Sequence, residues 1–256
     1  MKLQHLLILS PIWLFSARAG EFQTAASSPA PDSSEWQFMG AVYAPLMGLD
    51  GTVGIGPVSS QVDLPFRDIL KNLDAGLTGA FEARRNRWSI TGDFIWLKIS
   101  SSVEPTPISN LNFKEEELMA SLALGYELYG DKQTTLDLLG GAALTSLDAE
   151  LDIFTPRLRT TQRSTSGSQS WVDPFVGLRL RHRLSDQWAV FSTGLYGGFG
   201  VGSDQYWQAL AGVDYRITES VSIALAYRII ATDYQNGAFL YDTKTSGPNL
   251  GLVFRF

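Results

Sequence analysis

Charged side chains in this chain recur on one side of their segments. Glu82, Arg84, Asp93, Glu117, Glu127, Asp137, Asp173, Arg179, Arg181, Asp214, Arg216, Arg228 and Arg255 all share a period-two face with small and polar neighbours. Acids dominate the middle of the chain and arginines its later part. Arginine forks and carboxylates on facing strands can form bidentate pairs, which offset the cost of burying charge. The same residues could instead line a polar pore, but a network filling a narrow lumen is the favoured expectation. No pair stands out as a general acid and base. Histidine is scarce: only His5 and His182 exist, and there is no cysteine. Metal sites built on several histidines or on thiolates are therefore excluded, and no metal or cofactor is expected.

Three further stretches could carry function. Asp63–Asp74 places Phe66, Ile69, Leu70 and Leu73 at helical spacing, with Pro65 near the first turn. This predicts a short amphipathic helix. Its apolar face could pack on Ile95, Leu97 and Ile99, with Leu147, Leu151 and Ile153 near by, and cap a barrel mouth. The same seven residues, Phe66, Ile69, Leu70, Leu73, Ile95, Leu97 and Ile99, could alternatively form a vestibule for an apolar ligand. Asp148, Glu150 and Asp152 alternate along a strand and could bridge to lipopolysaccharide phosphates through cations, although a solvated face is the plainer reading. The glycine-rich run 197–202 lacks the Lys-Ser/Thr of a phosphate loop and reads as a tight hairpin.

The elements that would position these residues are strands. From Trp36 onward ten segments appear, roughly 36–48, 74–85, 88–100, 113–128, 133–147, 170–183, 187–199, 205–217, 221–235 and 238–256. Short polar joints at 85–87, 130–132, 184–186 and 218–220 alternate with longer ones at 49–73, 101–112 and 148–169. Asn236-Gly237 reads as a two-residue hairpin tip. Leu118, Ala120, Leu122, Leu124, Tyr126 and Leu128 share one face, and Glu115, Glu117, Ser121, Gly125 and Glu127 the other. Trp36, Tyr126, Trp188 and Tyr215 would form one aromatic girdle, with Trp96 near the opposite one. The expected fold is all-β: a transmembrane, antiparallel, up-and-down barrel of ten strands, with eight as the rival count. The competing fold, a soluble sandwich, explains neither the charged faces nor the girdles.

The ends agree. Residues 1–19 read as a secretory signal, with Lys2, an apolar stretch Leu6–Phe15 and an Ala17-Arg18-Ala19 cleavage site. Residues 20–34 read as a flexible periplasmic arm and 35–256 as the barrel. Without Lys2 and Arg18 the balance is 18 basic against 26 acidic residues, a net charge of −8, which excludes a general nucleic-acid binder. Beyond the signal, no run of 18 apolar residues occurs, so any membrane span is made of strands. Leu250, Leu252, Phe254 and Phe256 alternate to the last residue, an apolar edge that barrel closure and lipid would satisfy.

That terminal strand resembles the one by which bacterial outer-membrane barrels are recognised for insertion, which would make Phe254 and Phe256 an insertion signal. The whole pattern resembles small bacterial outer-membrane β-barrel proteins, the group of outer membrane protein A, outer membrane protein W and the opacity proteins. Trp171-Val-Asp-Pro-Phe-Val-Gly177, Gly197-Gly-Phe-Gly-Val-Gly-Ser-Asp204, and Tyr241-Asp242 followed by Gly247-Pro248 carry a closer likeness to a widespread, poorly characterised family of such barrels. An acid is expected before the Gly-Gly-Phe run, where Leu195 stands here. The resemblance implies a bacterial outer-membrane location, with outer-membrane lipid, lipopolysaccharide and the barrel-assembly machinery as partners. A monomer is the expected state. Barrel enzymes of this group resemble one another in using a histidine near the outer rim, whereas His182 adjoins a short joint at the opposite end. The expected role is structural or surface-exposed and non-catalytic. A narrow porin, or passage or binding of a small apolar ligand through a helix-capped mouth, is the runner-up. An enzyme acting on lipid or peptide is disfavoured.

Overall fold

The computed structural model describes residues 34–256 except 56–57, 104–109 and 155–161. The expected signal and nearly all of the expected arm lie outside the described residues. The strands are β1 (Gln37–Pro45), β2 (Gly48–Ile55), β3 (Val58–Leu64), β4 (Leu73–Arg85), β5 (Trp88–Val103), β6 (Asn110–Gly130), β7 (Thr134–Phe154), β8 (Gln162–Arg183), β9 (Trp188–Gly198), β10 (Gln205–Arg216), β11 (Val221–Asn236) and β12 (Phe239–Arg255), with one helix, α1 (Phe66–Asn72).

Ten of these strands close a ring in the order β1-β4-β5-β6-β7-β8-β9-β10-β11-β12, and β12 pairs back onto β1. Every pairing is antiparallel between neighbours around the ring, which leaves no open edge at the level where all ten strands pair. At the seam Phe256 donates its amide to the Phe38 carbonyl at 2.9 Å and accepts from the Phe38 amide at 3.3 Å.

Alternation decides the facing. On β6, Leu122, Leu124 and Leu128 are exposed outward while Ala123 and Gly125 are buried inward. Leu77, Phe81, Val172, Val176, Leu178, Tyr196, Leu225, Tyr227, Leu250 and Leu252 continue this exposed apolar surface around the ring. In water such a surface would be a large aggregation patch, and in lipid it is the solvated face. From Leu118 to Leu128, ten steps of about 3.3 Å on a strand tilted by about 40° span about 25 Å, the height of an outer-membrane apolar band. Aromatic pairs mark its lower margin: Trp36 on Phe38 at 6.1 Å, Trp88 on Tyr126 at 4.8 Å and Trp188 on Tyr215 at 4.8 Å. Arg85 and Arg87 lie over Trp36 and Tyr126. At the upper margin Trp96 donates its indole N–H to Glu116 at 2.9 Å. No helix among the described residues is long and apolar enough to cross a membrane.

The two ends differ. At the lower end the connections are short polar turns. In one of them the Asp131 carboxylate accepts from the Tyr129 hydroxyl and the Gln133 and Thr134 amides, which hold it below the ordinary carboxylate range. At the upper end β6, β7 and β8 run to 21 or 22 residues and stand above the band, whereas β9 and β10 have 11 and 12.

The first outer joint is more ordered than expected. It contains the β2–β3 hairpin, and β2 continues β1 along the upper half of β12 through pairs from Gly48↔Ser246 to Ile55↔Phe239. The α1 helix then returns the chain to β4. The β11–β12 tip also differs by one residue: Asn236 pairs with Phe239, so the turn residues are Gly237 and Ala238. Gly237 supplies the left-handed first position, at φ 59°.

Candidate functional site: the barrel lumen

The inward faces bring together most of the predicted charges, in separate clusters. In the lowest, on β4 to β8, Arg179 spans the lumen. Its Nη1 meets Glu82 Oε2 at 2.8 Å, its Nη2 and Nε meet Asp137 Oδ2 at 2.7 and 3.0 Å, and Nη2 also donates to Ser89 at 3.2 Å. Arg84 reaches Asp137 at 2.5 Å, Glu82 at 3.1 Å and Glu127 at 3.2 Å, and Arg181 forks onto Glu82 at 2.6 and 3.2 Å. Three guanidinium groups thus face three carboxylates, so the cluster is formally neutral. On the far wall Arg255 grips Asp214 at 3.0 and 3.1 Å, and Ser222 donates to the same carboxylate at 2.8 Å.

Half-way up, Arg228 of β11 crosses to Asp93 of β5 at 2.6 Å. Tyr43 donates to Asp93 at 2.9 Å and accepts from Arg228 at 3.0 Å, and Gln208 accepts from Arg228 at 2.8 Å. β11 and β5 are four steps apart around the ring of ten, as are β8 and β4, so these contacts cross the lumen. Above them lies an apolar layer in which Met47, Ile95, Phe175, Leu195, Tyr206 and Ile230 pack together, all buried. Higher still, Trp171 of β8 stacks on Tyr234 of β11 with ring centroids 4.0 Å apart, and Tyr241 of β12 donates across to Glu117 of β6 at 2.9 Å.

Three predicted network members, Glu117, Arg216 and Asp173, stand outside the ion pairs among the described residues. Glu117 belongs to the upper aromatic layer and has a tyrosine hydroxyl as partner. Arg216, the last residue of β10 at the lower turn, makes no side-chain ion pair among the described residues. Asp173 is fully buried and holds a loop: it accepts from the Ser203 amide at 2.6 Å, the Ser203 hydroxyl at 2.8 Å and the Trp171 indole at 3.1 Å. A Cβ on Gly202 would meet the Val172 carbonyl oxygen and Asp173, so this approach needs glycine. Leu195, where the resemblance led to an expected acid, faces inward against Gly177 and Gln208 and joins the apolar layer. Three buried atoms, Asp137 Oδ1, Arg228 Nε and Asn249 Oδ1, have no hydrogen-bond partner among the described residues.

The vestibule residues separate. Ile95 is buried against the apolar layer rather than under the helix, and Leu97 packs at its margin. Leu73 pairs in register with Ile99. Phe66 and Ile69 are half-buried, and Leu70 is 54% exposed, so it does not pack into the mouth. The helix runs beside β2 and β5, with Gly48 against its first turn, and has no fully buried residue. The side chains of Leu151, Asp152 and Ile153 lie outside the described residues, and Asp148 is exposed. His182 lies at the lower end, its Nδ1 2.8 Å from the Thr134 hydroxyl. Sequence reasoning missed Tyr43, Tyr206 and Ser89, which only inward parity signals, and Ser203, which sits in the loop between β9 and β10.

A closed ring, a lipid-facing belt and charges turned inward define a transmembrane β-barrel of the outer-membrane type. No family profile matches the sequence, and no curated protein matches it. Among solved structures, the outer membrane protease OmpT from Escherichia coli superposes with a TM-score of 0.56 at 11% identity, covering 90% of this chain and 100% of that one. Neisserial surface protein A (14% identity, 86% and 97% covered, TM-score 0.35) and Ail of Yersinia pestis (13%, 86% and 98%, 0.32) are also similar. At these identities the likeness is one of fold. The chain has the fold of small bacterial outer-membrane β-barrel proteins, closed by ten strands.

Proposed function

We propose that the protein is a closed, non-catalytic barrel whose role is structural or lies in contacts made by its outer rim. One observation carries this reading: side chains from strands four apart touch at several heights, from Arg179–Glu82 through Arg228–Asp93 to Tyr241–Glu117. A lumen bridged in this way has no continuous water path, in keeping with the small number of strands. The lower clusters and the Arg228–Asp93 pair are each charge-neutral, which suits a packed interior better than an ion pathway. The architecture shared with a protease does not supply a reaction, because function resides in sites and not in folds. The described histidine is at the lower end, and the lumen carboxylates are held by arginine, tyrosine or serine rather than poised against a base.

Deletion of the gene tests this role. Loss of the barrel should sensitise cells to detergent and chelator, and the full chain should restore resistance. The purified protein should hydrolyse neither phospholipid nor peptide. Normal envelope resistance in the deletion strain, or hydrolysis lost on replacing one carboxylate, would overturn the reading.

A further inference from the structure

Beneath the Arg228–Asp93 bridge the lumen is not filled. A cavity of about 290 Å³ lies between that bridge and the lower charge clusters. Protein interiors seldom leave voids larger than a water molecule. This one arises because inward positions on adjacent strands are small, with Ala41 on β1, Ala224 and Ala226 on β11 and Gly251 on β12. Leu139, Leu195, Leu210 and Val253 complete a mainly apolar wall. The apolar part of such a wall accepts an apolar guest.

Its ends are polar. Four arginines line it, Arg179, Arg181, Arg228 and Arg255, together with their carboxylate partners Glu82, Asp93 and Asp214. Arg181 and Arg255 have the most exposed side chains of the lumen's ion-paired groups, at 35% and 33%. Arg181 spends its two terminal nitrogens on Glu82, Arg255 spends its own on Ser222 and Asp214, and each leaves Nε–H without a partner among the described residues. Asn249, buried and also lining the cavity, leaves Oδ1 unmatched. Towards the outside the cavity is shut by the apolar layer of Met47, Ile95, Phe175 and Tyr206, so access lies at the lower, periplasmic end.

The geometry points to a periplasm-facing binding chamber for a small, mainly apolar molecule with one anionic group, its tail among the alanines and its carboxylate-class head at Arg181 and Arg255. The barrel is then a receptor or carrier on its inner side while staying closed on its outer side.

Octanoate labelled with ¹³C at its carboxyl group is a suitable probe. It would be titrated by NMR into the full barrel in lipid nanodiscs, with empty nanodiscs as reference. The chamber predicts saturable binding above that reference. Ala226→Phe, which fills the cavity, should weaken binding at least tenfold. Arg255→Gln and Arg181→Gln should each weaken it severalfold while leaving heat-modifiable folding intact. If Ala226→Phe does not fold, Ala224→Leu fills the same space. No saturable binding, or equal binding by the filled variant, overturns the chamber. Equal binding by both arginine variants overturns the anionic head.

Discussion

Replacing Asp93 by Asn strands a guanidinium in the middle of the barrel. Arg228 is 5% exposed, and its sole carboxylate partner among the described residues is Asp93, at 2.6 Å. Removing one member of a buried pair costs about 3–5 kcal/mol, because the other charge stays behind uncompensated. Tyr43 and Gln208 remain as neutral partners, so about 4 kcal/mol is expected. Arg228→Met leaves Asp93 instead. That carboxylate is a quarter exposed and keeps the Tyr43 hydroxyl, so the loss should be about 1–3 kcal/mol. The double variant buries no net charge and should fall about 3 kcal/mol short of the sum of the single losses. The assay is reversible urea unfolding in lipid vesicles, followed by tryptophan fluorescence, with heat-modifiable mobility as the check on folding. Additive losses, or a loss below about 1 kcal/mol for Asp93→Asn, would refute the claim that this pair is buried and spans the lumen.

Other substitutions probe the remaining parts. Leu124→Arg, outward near the middle of the band, should cost about 2–4 kcal/mol in the same vesicle assay, and a negligible loss would mean that this face does not meet lipid. Asp173→Ala removes three hydrogen bonds from a fully buried carboxylate. It should destabilise by about 2–4 kcal/mol and speed hydrogen exchange at the Ser203 amide, and unchanged exchange would contradict the loop's dependence on it. Leu70→Asp should change stability by less than about 0.5 kcal/mol because Leu70 is exposed, whereas a loss of 2 kcal/mol or more would restore a sealing role for the helix.

The ten barrel strands are legible in the sequence because lipid outside and polar groups inside give each strand a period of two over about ten residues. The signal weakens wherever one of those two environments is missing. β2 and β3 stand above the apolar band, so Leu49–Ile55 and Val58–Leu64 carry no lipid-facing stripe and read as a loop. On β9 both faces are partly apolar: Phe191 and Leu195 face the lumen while Val190 and Tyr196 face lipid, which leaves its facing open until the register with β10 fixes it. The β6–β8 wall extends beyond its expected limits for a related reason. Its ladder continues upward while its outward residues turn polar, as at Lys114 and Glu150. The charges of the lumen are legible as a set, but their partners are not. Whether Arg228 meets Asp93 or Asp214 depends on strand stagger around the closed ring, which no local pattern encodes. The cavity is invisible to sequence for the same reason, since alanines on separate strands become neighbours only when the ring closes.

Single-channel conductance of the folded protein in planar bilayers tests the central claim, that the lumen is shut, most directly. The cross-lumen contacts predict silence in the wild type at moderate voltage. They predict silence also after deletion of residues 66–72, because α1 is beside the mouth and the closure lies below it. Steady conductance by the wild type would contradict the closed lumen. Conductance appearing only after the deletion would move the closure from the lumen to the helix.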